Sequence, residues 1–387
     1  MTQAILQEKN VSTKGAALYM ALELSNSTWK VGFSAGVERG PRIRNVEARD
    51  RAELMTEIKT SKEKFGLPVD AKVKSCYEAG RDEFWLHRYL ESQGIENEVV
   101  DSSSIKVDRR ARRAKNDNLD VGELLSMLMR RHDGGKNEYR VVRVPSVEQE
   151  DERRAFRERE RLMKEHTQHI NSIRSMLVTQ GVKLDKWDPH LDEDLDEIAL
   201  WDESRLPENL TKQLCREWVR LELVKKQAKE IDREIKEKVE RQETPVARVM
   251  GILMMLVGIG PVSAGVLASE FFAWRKFTNP RQVGALAGMT GTPYSSGDMN
   301  REQGISKAGN WRVRRIMIEL AWIWLRYQPD SHLSKWFAQR FANKGKRQRR
   351  IGIVALGRKL LVALWRYVDL GVIPEGAILR GEDCRAA

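Results

Sequence analysis

Short apolar runs alternate with amphipathic stretches over the first 145 residues. The runs in AALYMALELSNSTWKVGFSAG, AKVKSCYEAG and IENEVVDSS have the composition of β-strands, and residues 25–27 (SNS) predict a turn. The stretches RDEFWLHRYLESQG and NDNLDVGELLSMLMRR have helical spacing, the second with Leu124, Leu125 and Leu128 on its apolar side. Strands that alternate with helices predict a sheet covered by helices.

A seven-residue apolar repeat dominates residues 146–245. Charged residues fill most of the positions between, so the pattern predicts two long amphipathic helices, paired with each other or with another subunit. The acidic stretch at 185–206 between the two helices would repel phosphate and predicts an exposed connector or a protein contact. The repeat runs through Phe156, Met163, Ile170 and Leu177, and again through Leu214, Leu221, Ala228 and Ile235.

Residues 246–387 are rich in cations and in helical patterns, including WRVRRIMIELAWIWLRY and IGIVALGRKLLVALWRYV. The three patterns together predict an α/β domain at 1–145, a coiled-coil helical region at 146–245 and a mainly helical domain at 246–387. The predicted fold class is therefore α/β plus α.

Basic residues outnumber acidic residues by 68 to 56, which makes the net charge +12. That balance favours a polyanionic partner, with a solvated charged surface as the alternative. The three cysteines lie far apart without zinc-ligand spacing, and no apolar run has the about 20 residues that span a bilayer. We therefore expect a reduced, cytoplasmic, nucleic-acid-associated protein.

Four carboxylates lie at predicted strand ends or at a predicted helix start. Glu23 precedes the turn after the first strand, and Glu78 ends a later strand. Asp117 and Asp120 are three residues apart, so both project from one face of their helix. Oxygen ligands that converge at a sheet edge suit Mg²⁺, which enzymes use in phosphoryl transfer. The alternative is that four acids chosen among 56 share no role.

Two further segments have features of phosphate-binding sites. Gly258 and Gly260 separate two predicted helices, where they would direct backbone N–H groups toward an anion or form a plain helical hairpin. A cationic run just before Asp117 would hold a nucleic-acid backbone or form a solvated helix face. The cations of this run are Arg109, Arg110, Arg112, Arg113 and Lys115.

The segment TGTPYSSGDMNREQGISKAGN, residues 290–310, is polar and rich in glycine. Ser295 or Ser296 could act as a nucleophile, but no histidine lies nearby in sequence to activate either hydroxyl. Local sequence therefore favours a surface loop between two helices. Cations suited to binding phosphate follow in this segment, in the next helix and in FANKGKRQRR. They are Arg301, Lys307, Arg312, Lys346 and Arg347.

Taken together, these stretches closely resemble the DEDD transposases of the IS-one-ten insertion-sequence group, from about residue 18 to about residue 370. ALELSNSTWKVGF, CYEAG and KNDNLDVGEL are similar to the acidic motifs of that family. LVGIGPVSAGVLASEF, ALAGMTGTPYSSGDMNREQGISKAGNWRVRR and GKRQRRIGIVALGRKLLVALW are similar to its C-terminal transposase domain. The resemblance implies a RuvC-like (RNase H-like) domain, a coiled coil, and a helical domain with a helix-hairpin-helix-like element.

The resemblance also implies a chemistry. Ser296 would attack a DNA phosphate to form a covalent phosphoserine intermediate, and the four carboxylates would bind Mg²⁺. A non-coding bridge RNA would pair with donor and target DNA, and the chain would form a homo-oligomer, from dimer to tetramer, with sites shared between subunits. Glu23 departs from the family, whose first acid is normally Asp. Its longer side chain carries the carboxylate further from the strand, which Mg²⁺ tolerates poorly.

The sequence is also compatible with two other functions. A Mg²⁺-dependent, structure-specific nuclease similar to junction resolvases would use water as its nucleophile and leave free DNA ends. A nucleic-acid-binding scaffold with an inactive metal site would bind DNA and RNA without strand transfer and without a response to EDTA.

Overall fold

The structure is a computed structural model that describes residues 17–36, 40–80, 83–105, 117–135, 138–182, 198, 200–296 and 299–381. For residues 83, 117–119, 294–296 and 299–303 the description is confined to the backbone. The chain divides into two compact units, Met1–Pro145 and Ser146–Ala387. The long paired helices and the C-terminal helices belong together to the second unit.

A five-stranded mixed sheet forms the centre of the first unit. Its strand order is β3-β2-β1-β4-β5, in which β1 is parallel to β4 and antiparallel to β2. The mixed α/β prediction is confirmed, although β3 had no counterpart in the predicted elements. The strands are β1 (Leu18–Glu23), β2 (Thr28–Ser34), β3 (Arg42–Glu47), β4 (Val73–Glu78) and β5 (Glu96–Val100).

Helices cover both faces of this sheet. The helices α1 (Arg51–Lys64) and α2 (Glu83–Ser92) bury Leu54 and Leu86 against one face. The helix α3 (Asp117–His132) covers the other face with Leu124, Leu125 and Leu128. These leucines form the apolar side that the sequence predicted. The alternation along β1 serves both cores, because successive strand residues point to opposite faces.

Two long helices begin the second unit, α4 (Val147–Val178) and α5 (Glu208–Arg241), each about 50 Å long. They pack antiparallel, as shown by the pairs Arg159–Asp232 and His169–Glu217. The predicted seam of α5 is confirmed by the burial of Leu214, Leu221 and Ala228.

The predicted seam of α4 is wrong at Met163, which is exposed, whereas Leu162 beside it is buried. The buried residues Leu162 and Ile173 are 11 positions apart. That spacing matches three turns of a helix with 3.6 residues per turn.

The predicted seam holds further along α4, where Ile170 and Leu177 pack against α5. Phe156 packs against the core of the C-terminal helices, as does Ile235 of α5.

The rest of the second unit is mainly helical, as predicted, around a core that includes Phe271, Leu320, Trp324 and Leu360. Among the described residues, none of the helices combines the length and apolar character that crossing a membrane requires. The elements are α6 (Pro245–Met254), α7 (Pro261–Leu267), a π-helical segment (Ala268–Phe272), α8 (Pro280–Leu286), β6 (Gly291–Ser296), β7 (Met299–Ile305), α9 (Trp311–Tyr327), α10 (His332–Phe341) and α11 (Lys346–Leu370).

Candidate active site

Two glutamates end neighbouring strands at the centre of the first unit's sheet. Glu23 is the last residue of β1, and Glu78 is the last residue of β4. The strands are parallel, and Leu22 pairs with Tyr77 one residue earlier. Glu23 and Glu78 therefore lie side by side at the edge where both strands end. Open α/β sheets commonly bind ligands at this edge.

Both glutamates lie on the face of the sheet that α3 covers. Ala21 and Cys76, two residues earlier in each strand, pack in the core beneath α3, and residues two apart on a strand share a face. Glu23 is half-buried and Glu78 is exposed. The alternation of the two strands thus places a pair of carboxylates beside the α3 face.

Helix α3 runs antiparallel to β1 and β4. His132 Nδ1, at the end of α3, lies 3.0 Å from Lys74 Nζ near the start of β4. The Leu124 carbonyl lies 3.8 Å from Cys76 Sγ, further along the same strand. Asp117, the first residue of α3, consequently lies toward the edge at which the two strands end.

Close packing against β2 holds the start of α3 near that edge. A Cβ added to Gly32 would lie 2.6 Å from Val121 Cγ1, so a larger residue would push the helix away. Asp120 immediately precedes Val121 and is half-buried. The four acids that the sequence singled out therefore belong to three elements that reach one edge. We call this region, which contains Glu23, Glu78, Asp117 and Asp120, the acidic edge.

The donor chemistry of the acidic edge fits Mg²⁺, which prefers carboxylate oxygens. Among the side chains that the structure describes, no three His, Cys, Asp or Glu residues are grouped closely enough to hold a metal ion. The Asp117 side chain lies outside that set, and so does the cationic run at 109–115. Metal binding by the quartet and phosphate binding by the run stay predictions.

Residues 291–305 contain a two-stranded antiparallel hairpin between α8 and α9, so the segment lies between two helices as predicted, but paired strands stand where a surface loop was expected. Ser296 ends β6 and pairs with Met299, and Ser295 pairs with Asn300. The paired strands satisfy their backbone N–H and C=O groups mutually, which a polar sequence without apolar alternation does not reveal. The two serines occupy consecutive strand positions, which belong to opposite faces of the hairpin.

Backbone hydrogen bonds join the two segments that connect the hairpin to α8 and to α9, which we call the legs of the hairpin. The Lys307 N–H donates to the Gly288 carbonyl at 3.1 Å, and the Asn310 N–H donates to the Leu286 carbonyl at 2.7 Å. Gly288 and Gly309 both have positive φ, +67° and +119°. A Cβ on Gly309 would lie 2.4 Å from the Leu286 carbonyl oxygen, so this crossing of the two legs requires glycine.

A buried carboxylate ties the base of the hairpin to α4. Glu270, in the π-helical segment, accepts hydrogen bonds from the Arg157 guanidinium at 2.7 and 3.1 Å. It also accepts one from Asn310 Nδ2 at 3.2 Å. Asn310 in turn caps α9, because its side chain accepts from the backbone N–H groups of Arg312 and Val313. One side chain thus links α4, the π-helical segment and the start of α9.

The Glu270 carboxyl stays charged although it is almost completely buried. Burial raises its pKa, but the Arg157 guanidinium, the Asn310 amide and the charge of Arg153 outweigh burial and hold the pKa below its usual range. The sequence motifs did not single out this residue. The available signal was a single acid within the apolar stretch VSAGVLASEFFAW, since a buried charge must have partners.

The predicted turn between α6 and α7 has the backbone that its glycines suggest. Gly258 has φ +92°, and a Cβ there would lie 3.2 Å from Tyr327 Cβ. Gly260 is the N-cap of α7. The Ile259 carbonyl between the glycines accepts from the Arg380 guanidinium at 3.1 Å. Phosphate binding by this turn stays a prediction.

The predicted cations of the second unit differ in their surroundings. Lys307, Lys346 and Arg347 are exposed. Arg312 instead donates to Glu160 of α4 at 2.9 Å, so it helps to hold α4 against α9. The side chain of Arg301, like those of the two serines, lies outside the described part of the chain.

Residues 250–335 match the family described as "Transposase IS116/IS110/IS902 family". The matched range contains Glu270, the hairpin and Asn310. A protein of Sinorhizobium fredii named "Putative transposase y4rJ" is 40% identical over 385 residues, which cover 94% of this chain and 95% of that protein.

Two more distant relatives are named as transposases of insertion sequences. The transposase for IS1328 of Yersinia enterocolitica is 25% identical over 56% of this chain and 62% of its own length. The transposase for IS1111A of Coxiella burnetii is 24% identical over 73% of each chain. These similarities define the chain as an insertion-sequence transposase. It belongs to the IS116/IS110/IS902 family, so the resemblance seen in the sequence is confirmed at the level of the family.

Proposed function

We propose that the chain cuts and rejoins DNA through a covalent bond between Ser296 and a DNA phosphate. A bound non-coding RNA would guide it to donor and target sites. One observation most supports a nuclease activity of the first unit. The ends of two parallel strands and the start of α3 all reach the acidic edge. A mixed sheet with carboxylates at its strand ends is compatible with the RuvC-like assignment that the resemblance implies.

Glu23, Glu78, Asp117 and Asp120 would hold Mg²⁺ at this edge. When bound, Mg²⁺ supplies Lewis-acid stabilisation of charge on phosphate oxygens. The substitution of Glu for Asp at position 23 lengthens one ligand. Glu23 is half-buried and lies beside the exposed Glu78, because the parallel strands β1 and β4 end together.

The proposed step conserves the number of phosphodiester bonds. Ser296 Oγ gives up its proton and forms a bond to phosphorus, while the bond from phosphorus to one deoxyribose oxygen breaks. That oxygen takes up a proton and leaves as a hydroxyl. Attack by another deoxyribose hydroxyl on the serine-linked phosphate reverses these changes and joins a new strand, so rejoining requires no ATP.

The charge at the start of α11 supports binding of a polyanion. Its first turn carries Lys346 and Arg347, followed by Arg349 and Arg350, and holds no acidic residue. Cations at a helix N-terminus are disfavoured by the helix dipole, by about 0.3–1 kcal/mol each at exposed positions. A phosphate backbone bound there would offset that cost, and the exposed Lys307 beside the hairpin would contact phosphate as well.

The test is a covalent protein–DNA adduct, trapped on a nicked substrate that carries the end of the insertion sequence and resolved under denaturing conditions. We expect Ser296→Ala to abolish the adduct and Ser295→Ala, on the opposite face of the hairpin, to retain it. An adduct that survives Ser296→Ala would reject this nucleophile.

The same experiment separates the alternatives. Cleaved DNA with free ends and no adduct would identify a nuclease that uses water. Binding without cleavage, unchanged by EDTA, would identify an inactive scaffold. RNA that copurifies with the protein and matches DNA flanking its gene would support guidance, and light scattering of the RNA-bound protein would test the proposed dimer or tetramer.

A further inference from the structure

We call the hairpin of residues 291–305, which carries Ser295 and Ser296, the serine hairpin. Trp311 presents an exposed aromatic surface at the point where this hairpin returns to the helical core. It is the first residue of α9 and follows Asn310, whose N–H is bonded to Leu286 at the base of the hairpin. Trp311 keeps 49% of its surface exposed, whereas Trp324 on the same helix is 1% exposed. Tryptophan is a large residue that is mostly buried on average, so such exposure at the base of the hairpin that carries Ser296 calls for an explanation.

Two guanidinium groups lie over the indole ring of Trp311. Arg312 Cζ lies 4.7 Å from the ring centroid, and Arg315 Cζ lies 5.6 Å from it. Arg312 Nε donates to Glu160 of α4 at 2.9 Å. Arg315 Nη2 forms an ion pair with the same carboxylate at 2.9 Å, and Arg315 Nε lies 3.7 Å from Glu319. The carboxylates hold the guanidinium planes in place before any ligand binds. We call Trp311, Arg312 and Arg315 the aromatic platform.

The charges around the platform favour a nucleobase over a phosphate. Two arginines face two carboxylates, Glu160 and Glu319, so their formal charges cancel. A phosphate would meet both carboxylates and gain little net attraction. The face of an unpaired base stacks on indole and guanidinium planes without needing a net charge.

We infer that the aromatic platform binds an unpaired nucleobase of the strand on which the hairpin acts. This inference rests on the proposed function, because strand cutting and guide pairing both leave unpaired bases near the reacting phosphate. Strand β7 runs for 7 residues from the hairpin tip toward its base, about 20 Å at 3.3 Å per residue. The platform would therefore bind a base some nucleotides away from the reacting phosphate rather than the base next to it.

The experiment measures equilibrium binding of the full-length protein to oligothymidylate, to oligouridylate and to a DNA duplex, each about 20 nucleotides long. We expect Trp311→Ala to weaken single-strand binding by about 5- to 150-fold, the range for loss of one base–aromatic stack. Trp311→Phe should stay within about threefold of the unchanged protein, because the phenyl ring still stacks. Duplex binding should not change. A larger loss on oligothymidylate than on oligouridylate would support a base of the DNA strand, as inferred, and a larger loss on oligouridylate would overturn that assignment.

The matched control is Trp322→Ala. Trp322 lies on the same helix with 46% of its surface exposed, so it tests whether the loss of any exposed tryptophan weakens binding. The second readout is the dependence of affinity on salt between about 50 and 200 mM. Removing a stack lowers affinity and leaves the salt slope unchanged, whereas removing a cation that neutralises a phosphate reduces the slope.

The inference would be overturned by no single-strand binding by the unchanged protein. It would also be overturned if Trp311→Ala bound single strands as tightly as Trp322→Ala does, lost duplex and single-strand binding equally, or had a reduced salt slope. None of them bears on the Ser296 adduct, which is scored separately on its own substrate. A missing adduct with a Trp311-dependent single-strand affinity would reject the proposed function and retain the platform as a base-binding site.

Discussion

The acidic edge and the serine hairpin differ in how the chain supports them. Glu23 and Glu78 end central strands of a sheet with an apolar core on each face. Ser296 ends a strand of a two-stranded hairpin, a structure that is marginally stable by itself. The acidic edge is therefore stabilised by a whole domain core, whereas the hairpin depends on Gly309, Glu270 and a few other groups at its base.

This difference predicts that the two regions respond differently to substitution. Changes to carboxylates at the acidic edge should remove chemistry and leave folding intact. Changes at the base of the hairpin should affect both the stability of the second unit and the position of the nucleophile.

The largest expected effect is at the acidic edge. Asp120→Asn should reduce DNA cleavage by about 10³-fold, because the loss of a metal ligand removes several kcal/mol of transition-state stabilisation. DNA binding and thermal unfolding should be unchanged. Single-turnover cleavage measures the loss, and Glu123→Gln, an exposed acid on the same helix, is the matched control. Cleavage by Asp120→Asn close to that of the control would remove Asp120 from the active site.

The next effect concerns Glu270. Glu270→Ala should destabilise the second unit by about 2–3 kcal/mol, less than the 3–5 kcal/mol of a fully buried pair because Arg157 is partly exposed. Denaturant unfolding followed by tryptophan fluorescence measures the loss. An unchanged midpoint would show that the Arg157–Glu270–Asn310 contacts do not hold the base of the hairpin.

Glu270 also predicts a dependence of stability on pH. Its pKa is lower in the folded chain than in the unfolded chain, so its contribution is complete above the unfolded value of 4.5. That contribution is lost as pH falls through the folded pKa. Glu270→Gln, which keeps a hydrogen-bonding side chain but has no carboxyl proton to bind, should remove this part of the acid sensitivity. Identical acid unfolding curves for the two proteins would contradict the assignment.

A smaller effect is expected at the crossing of the hairpin legs. Gly309→Ala should cost about 1–3 kcal/mol, because its φ is +119° and the new Cβ would meet the Leu286 carbonyl. Gly251→Ala is the control, since Gly251 lies inside α6 with open space around the added Cβ. That substitution should stabilise the protein by about 0.5–1 kcal/mol. Thermal unfolding of both variants compares the two glycines, and a neutral Gly309→Ala would disprove the tight crossing.

The smallest effect is expected at the exposed start of α11. Replacing Lys346 and Arg347 together by Ala should lower the dependence of log affinity on log salt by about 0.9 for each duplex phosphate that the protein no longer neutralises. Titrations of duplex DNA at several salt concentrations measure that slope. A slope equal to that of the unchanged protein would exclude these cations from the nucleic-acid interface.

The sequence located the strands that end at the acidic edge better than the strands of the hairpin, for a physical reason. The strands before Glu23 and Glu78 contain apolar runs bounded by turn residues, so their ends could be located. The strands β6 (GTPYSS) and β7 (MNREQGI) lack apolar alternation and include proline and glycine, so local sequence indicated a loop. Pairing between them supplies the order that composition does not.

Long-range contacts account for the rest of what was missed. Arg157 and Glu270 are 113 residues apart in the chain, and neither position alone indicates the other. The side-by-side placement of Glu23 and Glu78 likewise depends on β1 pairing with β4 across an intervening hairpin and helix. Residue types and periodicity predicted the elements, and tertiary packing determined which of their ends meet.

The most direct test of the proposed chemistry is to map the covalent attachment. The trapped adduct would be digested with nuclease and trypsin, and the peptide spanning residues 282–301 would be sequenced by tandem mass spectrometry. We predict a nucleotide joined through phosphate to Ser296. Attachment to Ser295 or to another residue, or cleaved DNA without any attached nucleotide, would contradict the proposal that Ser296 is the nucleophile.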